Sequence, residues 1–435
     1  MLDDNRTNST NEVRDMNQDA QTTGQAQSGP AALSRRRLMQ LASVASAAPL
    51  MAASAHAHSE PAATPAQSAP KAPSLSSPQR EWAATHLRGL ANLFLPSFQP
   101  DLETLDEDGL RHDVRHAIDL SFCGTMPMVN WTPPGNPQWE PYYRTLIEES
   151  AGRLPIHGIM FTNKAEQDIA LLRQQEKFGV DAVLLAARYR PDISADELYD
   201  EMRKRIEATE LPVILYAALN EGRAFPHLGP AGQPLDVYDR IADLPNVVAL
   251  KVSQPISLTS TMQLCDAVAD RLLVAPVNLD FVPLLARHYH MQWSGQWNGE
   301  AVQTPDNQLG NQLLAATAAG DVEAANEAAI AIQPVHDAFF QLQSEVIRAG
   351  AHPWQHNKYY SWLGGGNGGL LLPPASEADH VPVLTPEARA EIRTAFEASG
   401  LTPTDAPEES FVTGRAAYDR GVRMSDLKQV PRYEA

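Results

Sequence analysis

The chain has 435 residues, of which 43% are hydrophobic, and its formal net charge is −19. The acidic balance argues against nucleic acid as a partner, because phosphate binding requires clustered lysine and arginine. With Cys123 and Cys265 as its two cysteines, the chain cannot form a disulfide framework or a cysteine-rich metal site. The glycine-rich stretch at 364–369 lacks the strand–helix setting of a phosphate-binding loop. The sequence therefore predicts no metal ion and no organic cofactor.

Residues 1–57 have the pattern of an export signal. A polar leader precedes Arg35 and Arg36, and a weakly apolar run then ends at Ala57 in a small-x-small cleavage pattern. The paired arginines resemble the twin-arginine motif of bacterial signals. We therefore expect the twin-arginine translocase as a partner during export and the periplasm as the location. The alternatives are a retained N-terminal anchor and a disordered tail with a chance arginine triplet.

The segment 58–81 is rich in Pro, Ala and Ser, a composition that cannot bury a core. We interpret it as a linker and expect the folded part to begin near Trp82.

A barrel is predicted for residues 82–304. Short apolar runs with β-branched residues indicate eight strands, and segments with helical spacing separate them. Repeated strand–helix units of about thirty residues predict a (β/α)8 TIM barrel. The alternative is an open doubly wound sheet, whose glycine fingerprint in the first turn is missing. The predicted strands lie at 90–96, 122–129, 156–161, 181–187, 212–217, 246–253, 271–276 and 290–294.

The pattern changes after the eighth strand. Residues 305–400 have no strand signal, and we expect a C-terminal extension with two or three helices in 306–350. A further helix is predicted over 385–400, with Thr385 as its N-cap. Residues 401–435 are polar, and we expect an irregular surface tail.

One lysine lies in an apolar strand. Lys251 is near the C-terminal end of the sixth strand, which is the catalytic end of such a barrel. An apolar surrounding favours the neutral amine, which can attack a carbonyl and form a Schiff base. Tyr216, at the same end of the fifth strand, can shuttle protons or hold an oxyanion. The alternative is an ordinary lysine that is solvated or paired with a carboxylate.

The segment from about Arg88 to Leu401 resembles the dihydrodipicolinate synthase / N-acetylneuraminate lyase family of class I aldolases. Its "LPVILYAAL" is similar to the family's "LPVILYNVP", and "NVVALKVS" is similar to "NIVGIKDS". The resemblance implies that Lys251 is the Schiff-base lysine and Tyr216 the catalytic tyrosine. Ser253 matches a hydroxyl found in lyase-type members. The family also implies a homotetramer or a homodimer.

The loops around the expected site depart from the family pattern. The family binds a 2-oxo acid carboxylate with a "GTTGE"-like loop after strand two, where this chain has "VNWTPPGNPQWE". We predict that Asn130 and Thr132 of this loop bind substrate, as do Ser253 and Ser294. The stretch 131–139 is interpreted either as a rigid pocket lid or as an ordinary surface loop.

These features together predict an exported Schiff-base lyase or aldolase that acts on a small 2-oxo acid or a related carbonyl compound. Neither a metal ion nor an organic cofactor is required, because the iminium itself withdraws electrons from the substrate. The alternative is a non-catalytic periplasmic binding protein on a degenerate aldolase barrel, since a fold alone does not decide function.

Overall fold

The structure is a computed structural model. It describes residues 70–435 apart from 161–163, 219–224, 230–232, 254–256, 297, 350 and 376. The predicted export signal and most of the predicted linker therefore lie outside the described residues. Among the helices in the described part of the chain, none combines the length and the apolar character needed to cross a membrane.

Eight parallel strands form the barrel that the sequence predicts. Two parallel sheets, ordered β2-β1-β8 and β3-β4-β5-β6-β7, are joined by a bridge between Thr125 and Ile156. The pairing of β1 with β8 brings the first and last strands of the barrel together. The strands are β1 (Gly89–Phe94), β2 (Gly124–Pro127), β3 (His157–Met160), β4 (Ala182–Ala186), β5 (Val213–Ala218), β6 (Val247–Ser253), β7 (Leu273–Pro276) and β8 (Trp293–Gly295).

Helices separate the strands and cover the outside of the barrel. The sequence sets their ends locally, as in the helix that begins after Ser194, whose hydroxyl accepts from Glu197 N at 3.2 Å in a capping box. Three-residue 3₁₀ turns at Pro226–Leu228 and Leu279–Phe281 supplement them. The helices are α1 (Pro78–His86), α2 (Glu107–Asp119), α3 (Trp139–Ser150), α4 (Ala165–Phe178), α5 (Ala195–Ile206), α6 (Leu235–Ile241), α7 (Leu258–Val268) and α8 (Val282–Leu285).

The alternation of side chains along each strand divides the core into two parts. In β6, Leu250 and Val252 join the layer between strands and helices, whereas Ala249 joins the barrel interior. The inward positions of this strand are therefore 249, 251 and 253, so the same alternation turns Lys251 into the barrel.

Helix α1 covers the N-terminal end of the barrel, which corrects the predicted linker boundary at 81. Ser77 caps this helix, and its hydroxyl also donates to Pro245 O at 2.5 Å. Arg80 is buried and donates to Val247 O, while Ala83 and Leu87 pack with the barrel interior. Residues 77–81 belong to the folded unit because Ser77 and Arg80 bind the backbone just before and at the start of β6.

The C-terminal extension contains helices, as predicted. Between the barrel and these helices lie a 3₁₀ turn at Gly299–Val302 and a short antiparallel pair, β9 (Gln303–Thr304) and β10 (Asn307–Gln308). Thr385 caps the last long helix through a bond from Ala388 N at 3.2 Å. The helices are α9 (Leu309–Ala319), α10 (Val322–Arg348), α11 (Trp354–Leu363) and α12 (Pro386–Ala398).

The prediction of an irregular surface tail at 401–435 is wrong. The segment forms α13 (Glu409–Thr413), α14 (Arg415–Asp419) and a 3₁₀ turn at Met424–Asp426. Phe411 is fully buried, with its ring 5.1 Å from Tyr359 and 5.8 Å from Trp362. Val412 is also in the hydrophobic core and Tyr433 packs against it, so several apolar side chains fix the tail on the folded unit.

Candidate active site

Strands β5 and β6 place the two predicted catalytic residues side by side. Their parallel register pairs Tyr216 with Lys251 and Ala218 with Ser253. All three functional groups thus lie at the C-terminal end of the barrel, where enzymes of this architecture hold their reacting groups. The structure brings together Lys251, Tyr216 and Ser253, as the sequence predicts.

The Lys251 amine is buried without a carboxylate partner. Its side chain is 3% exposed, and Nζ donates to Met126 Sδ at 3.6 Å. No salt bridge to Nζ occurs within the described residues. Burial alone lowers the pKa of Lys251 from 10.5 to about 7. A large share of the amine is therefore neutral and nucleophilic near neutral pH.

Small residues leave space around the lysine. Its register partner on β7 is Ala275. On β8, a Cβ atom added to Gly295 would lie 3.1 Å from Lys251 Cδ and 3.3 Å from Cε, closer than most Cβ contacts in proteins. Glycine at position 295 thus allows the extended stem of the lysine to cross the barrel.

A serine fixes the tyrosine hydroxyl. Ser253 Oγ donates to Tyr216 Oη at 2.8 Å, and Ser253 is fully buried while Tyr216 is half-buried. The Lys251 amine lies 5.5 Å from the centre of the Tyr216 ring. The ring can therefore favour a cation on this nitrogen while the hydroxyl remains available for proton transfer.

Removing the Ser253 hydroxyl is expected to lower turnover about two- to tenfold. The physical reason is the loss of one neutral hydrogen bond that holds the Tyr216 phenol, worth about 0.5–1.5 kcal/mol. Steady-state kinetics of Ser253→Ala on an accepted substrate provide the measurement. Ser294→Ala is the matched control and should retain turnover within about twofold. Equal turnover in Ser253→Ala and wild type would contradict the positioning role of Ser253.

Ser294 does not reach the lysine, so its predicted role in substrate binding is not supported. Its hydroxyl donates to Pro276 O at 2.7 Å and accepts from Gln296 Nε2 at 2.7 Å. On the same strand Gly295 faces Lys251, and successive side chains of a strand point to opposite faces. The hydroxyl of Ser294 therefore lies on the outer face of β8.

Asn130 and Thr132 lie in the loop that follows β2. Asn130 is exposed. Thr132 is fully buried, and its Oγ1 has no hydrogen-bond partner within the described residues. Both lie at the end of the barrel that holds Lys251. Their roles in substrate binding stay predictions.

Three residues at this site carry no sequence signal of a role. Met126 contacts the amine, and Gly295 makes room for its stem. His157 is fully buried on β3, with its ring against Gly124. Burial and the charge of Lys251 lower the pKa of His157 to about 4, so this ring is neutral at neutral pH. A histidine within the apolar run "IHGIM" is the one feature that could have marked it.

Within the described part of the chain, no group of three or more His, Cys, Asp or Glu side chains is placed to hold a metal ion. The amine of Lys251 and the hydroxyl of Tyr216 are group types that can perform covalent attack and proton transfer, respectively.

Comparisons with known proteins agree with this arrangement. A model of the dihydrodipicolinate synthetase family matches residues 142–276, a segment that contains both Tyr216 and Lys251. The 4-hydroxy-tetrahydrodipicolinate synthase of Desulforudis audaxviator is 35% identical over 109 residues, which cover 25% of this chain and 35% of that protein. The enzyme of the same name from Halorhodospira halophila is 28% identical over 258 residues, or 59% of this chain and 77% of the relative. The chain thus spans only about a third of the first relative.

A solved structure shows the fold over a longer range. Dihydrodipicolinate synthase from Thermotoga maritima superposes with a TM-score of 0.56 at 19% identity, covering 72% of this chain and 99% of that one. Nearly the whole of that chain is therefore matched by the barrel and part of the C-terminal extension.

Proposed function

We propose that this chain, which belongs to the dihydrodipicolinate synthetase family, is a Schiff-base-forming lyase or aldolase that acts on a small 2-oxo acid or a related carbonyl compound. One observation carries the proposal. The Lys251 amine is buried in an apolar barrel interior, and the strand beside it presents Tyr216 with its hydroxyl held by Ser253.

The reaction begins with the neutral amine. The Lys251 nitrogen attacks the carbonyl carbon, and the carbonyl oxygen takes up a proton to give a carbinolamine. Loss of water then gives the iminium. In this mechanism Tyr216 Oη, which accepts a hydrogen bond from Ser253, donates the proton that the departing hydroxide needs and recovers a proton in the reverse direction.

The iminium supplies the driving force for bond cleavage. In carbon–carbon cleavage, its positive nitrogen accepts the electron pair of the bond between the α- and β-carbons, while the β-hydroxyl loses its proton and leaves as a carbonyl product, so that an enamine forms. In carbon–oxygen cleavage, loss of an α-proton first gives the enamine, whose electron pair then expels the protonated β-oxygen as water. Protonation of the enamine and hydrolysis of the resulting imine release the second product and restore the amine. The face of the Tyr216 ring, 5.5 Å from Nζ, favours the cationic state of this nitrogen.

Borohydride trapping tests the proposal directly. The protein is incubated with a panel of 2-oxo acids and related carbonyl compounds, reduced, digested and examined by mass spectrometry. The expected result is a saturable adduct on Lys251. The peptide with Lys358 is an internal control, since this lysine is also buried and burial lowers its pKa to about 8, but its Nζ is bound to Pro96 O and Ser97 Oγ. Absence of any adduct on Lys251 across the panel would refute the proposal.

The rate of imine formation is expected to rise with pH through a midpoint near 7. Only the deprotonated amine attacks, and burial lowers the pKa of Lys251 to about 7. An ordinary lysine, with a pKa of about 10.4, would still gain reactivity above pH 9. Samples incubated at each pH and reduced at one common pH give the profile. Nα-acetyl-lysine in the same buffers is the control, and a midpoint near 10 for Lys251 would contradict the effect of burial.

We also propose that the paired arginines at 35 and 36 direct export. Replacing both with lysine is expected to keep the protein in the cytoplasm, because the twin-arginine motif requires arginine at these positions. Cell fractionation with an antibody against the folded part measures the distribution. Arg6→Lys combined with Arg14→Lys, in the polar leader of the same segment, is the matched control. Periplasmic protein at the wild-type level in the Arg35→Lys/Arg36→Lys variant would disprove this route.

A further inference from the structure

The barrel interior opens to solvent through apolar side chains. Most members of the interior cluster are buried, but several are only partly so. Trp82 is one of these and lies in α1, at the N-terminal end. Besides Tyr216, the others follow the C-terminal ends of β1 and β2 or lie in α10, and we call them the apolar rim: Leu95, Phe98, Met128, Trp131 and Leu342.

Four of the five rim residues come from the loops after β1 and β2. The loop after β2 is the one in which the sequence departs from the family's carboxylate-binding pattern. Their apolar side chains continue the interior cluster to which Met126 belongs, and Met126 contacts the Lys251 amine. A ligand bound covalently to Lys251 therefore meets apolar surface on its way out of the barrel.

The C-terminal extension holds the central tryptophan of the rim in place. Trp131 Nε1 donates to Leu372 O at 2.6 Å, and its ring meets the ring of Trp354 edge to face, with centres 5.2 Å apart. Trp354 is itself buried, and Nε1 donates to Glu377 Oε2 at 2.9 Å. The polar edge of Trp131 is thus satisfied by backbone while its partly exposed face stays at the mouth. Trp131, the first residue of the stretch 131–139, is therefore held in place, unlike a residue of a loose surface loop.

The positively charged side chains near these loops either have hydrogen-bond partners of their own or line a different groove. Lys358 is buried, and its Nζ donates to Pro96 O at 2.7 Å and to Ser97 Oγ at 3.1 Å. Arg188 lines a groove with Lys164, at the beginning of α4, and Lys204, in the last turn of α5. Among the described residues, the side chains presented to a ligand at the mouth are therefore mainly apolar.

We infer that the substrate carries an apolar group of about the size of a phenyl ring on its reactive carbonyl compound, and that the apolar rim binds this group. The inference rests on the proposed Schiff-base function. Recognition then depends on burying apolar surface, which for a ring of this size raises affinity on the order of 10- to 100-fold. A carboxylate next to the carbonyl contributes less than the ring does.

Four carbonyl compounds separate the two contributions. Pyruvate and acetone differ by the carboxylate, and 2-oxo-4-phenylbutanoate and 4-phenyl-2-butanone are the same pair with a phenyl-bearing chain added. The measurement is the concentration of each that gives half-maximal borohydride-trapped adduct on Lys251. The expected result is a concentration at least tenfold lower for each phenyl compound than for its small partner. Pyruvate labelling Lys251 at a concentration equal to or below that of 4-phenyl-2-butanone overturns the inference and leaves the proposed function standing.

Substitutions in the apolar rim test whether its residues bind the phenyl group. Trp131→Ala is expected to raise the half-maximal concentration of both phenyl compounds at least tenfold and to leave pyruvate and acetone within about twofold. Leu342→Ala is a second rim variant if Trp131→Ala does not fold, as judged by thermal unfolding. Ile330→Ala is the matched control, because Ile330 lies on the same helix α10 as Leu342 and is 73% exposed. Unchanged phenyl affinity in the folded rim variants overturns the inference, and no adduct with any of the four compounds overturns the proposed function with it.

Discussion

Lys251→Met is expected to abolish both the trapped adduct and turnover. Methionine fills nearly the same apolar space but has no nucleophile, and the loss of a covalent nucleophile lowers turnover by about 10⁴-fold or more. Steady-state kinetics and borohydride trapping on the accepted substrate give the two measurements. Residual turnover above a few per cent of wild type would show that the reaction does not pass through this amine.

The same variant should be more stable than wild type at neutral pH. Burial lowers the pKa of Lys251 to about 7, whereas the unfolded lysine has a pKa of about 10.4, so the unfolded state holds the proton more strongly. Below pH 7, burying the lysine lowers the free energy of unfolding by up to roughly 5 kcal/mol. This destabilisation disappears as the pH rises past about 10. Thermal unfolding of both proteins from pH 7 to 10 should show a gap that narrows with increasing pH. A constant gap would mean that the lysine is not desolvated.

Tyr216→Phe is expected to lower kcat by about 10²- to 10⁴-fold while KM changes little. Phenylalanine keeps the ring that packs beside the Lys251 amine, so ground-state contacts persist. It lacks the hydroxyl that accepts from Ser253 and that we place on the proton path. The imine should still form in this variant, but more slowly, and borohydride trapping followed over time separates the two effects.

Tyr289→Phe is the control for this substitution. The hydroxyl of Tyr289 donates to Asp266 Oδ1 at 2.5 Å, and Tyr289 follows α8 on the outside of the barrel. Its removal should leave kcat unchanged. A kcat for Tyr216→Phe within threefold of wild type would remove the phenol from the mechanism, whatever the control shows.

The neighbouring positions of Lys251 and Tyr216 could be predicted from the sequence because each residue interrupts an apolar strand. Lys251 lies in "NVVALKVS" and Tyr216 in "LPVILYAAL", and in a parallel barrel two successive strands end at the same face. The alternation within β6 also placed Ser253 on the side of Lys251. The strand pattern placed Lys251 and Tyr216, and the family resemblance added Ser253.

Ser294 shows where local reasoning fails. Strand β8 has three residues, too few for a pattern to reveal which face is inward, and the close approach of Gly295 to Lys251 decides the question. The contact between Trp131 and Trp354 joins parts of the chain that are far apart, and no periodicity encodes such a pairing. The burial of Phe411 was missed for the same reason, since its partners Tyr359 and Trp362 lie in another helix.

The contacts that desolvate Lys251 also determine when its reactivity arises during folding. Met126 is 125 residues away along the chain, and Gly295 belongs to the strand that completes the barrel by pairing with β1. Contacts of such long range form slowly, because the intervening chain must first be ordered. Until they form, the lysine is solvated and protonated, and it is as inert toward aldehydes and ketones as any surface lysine. In a nascent or partly unfolded chain, the reactivity of Lys251 is therefore that of an ordinary lysine.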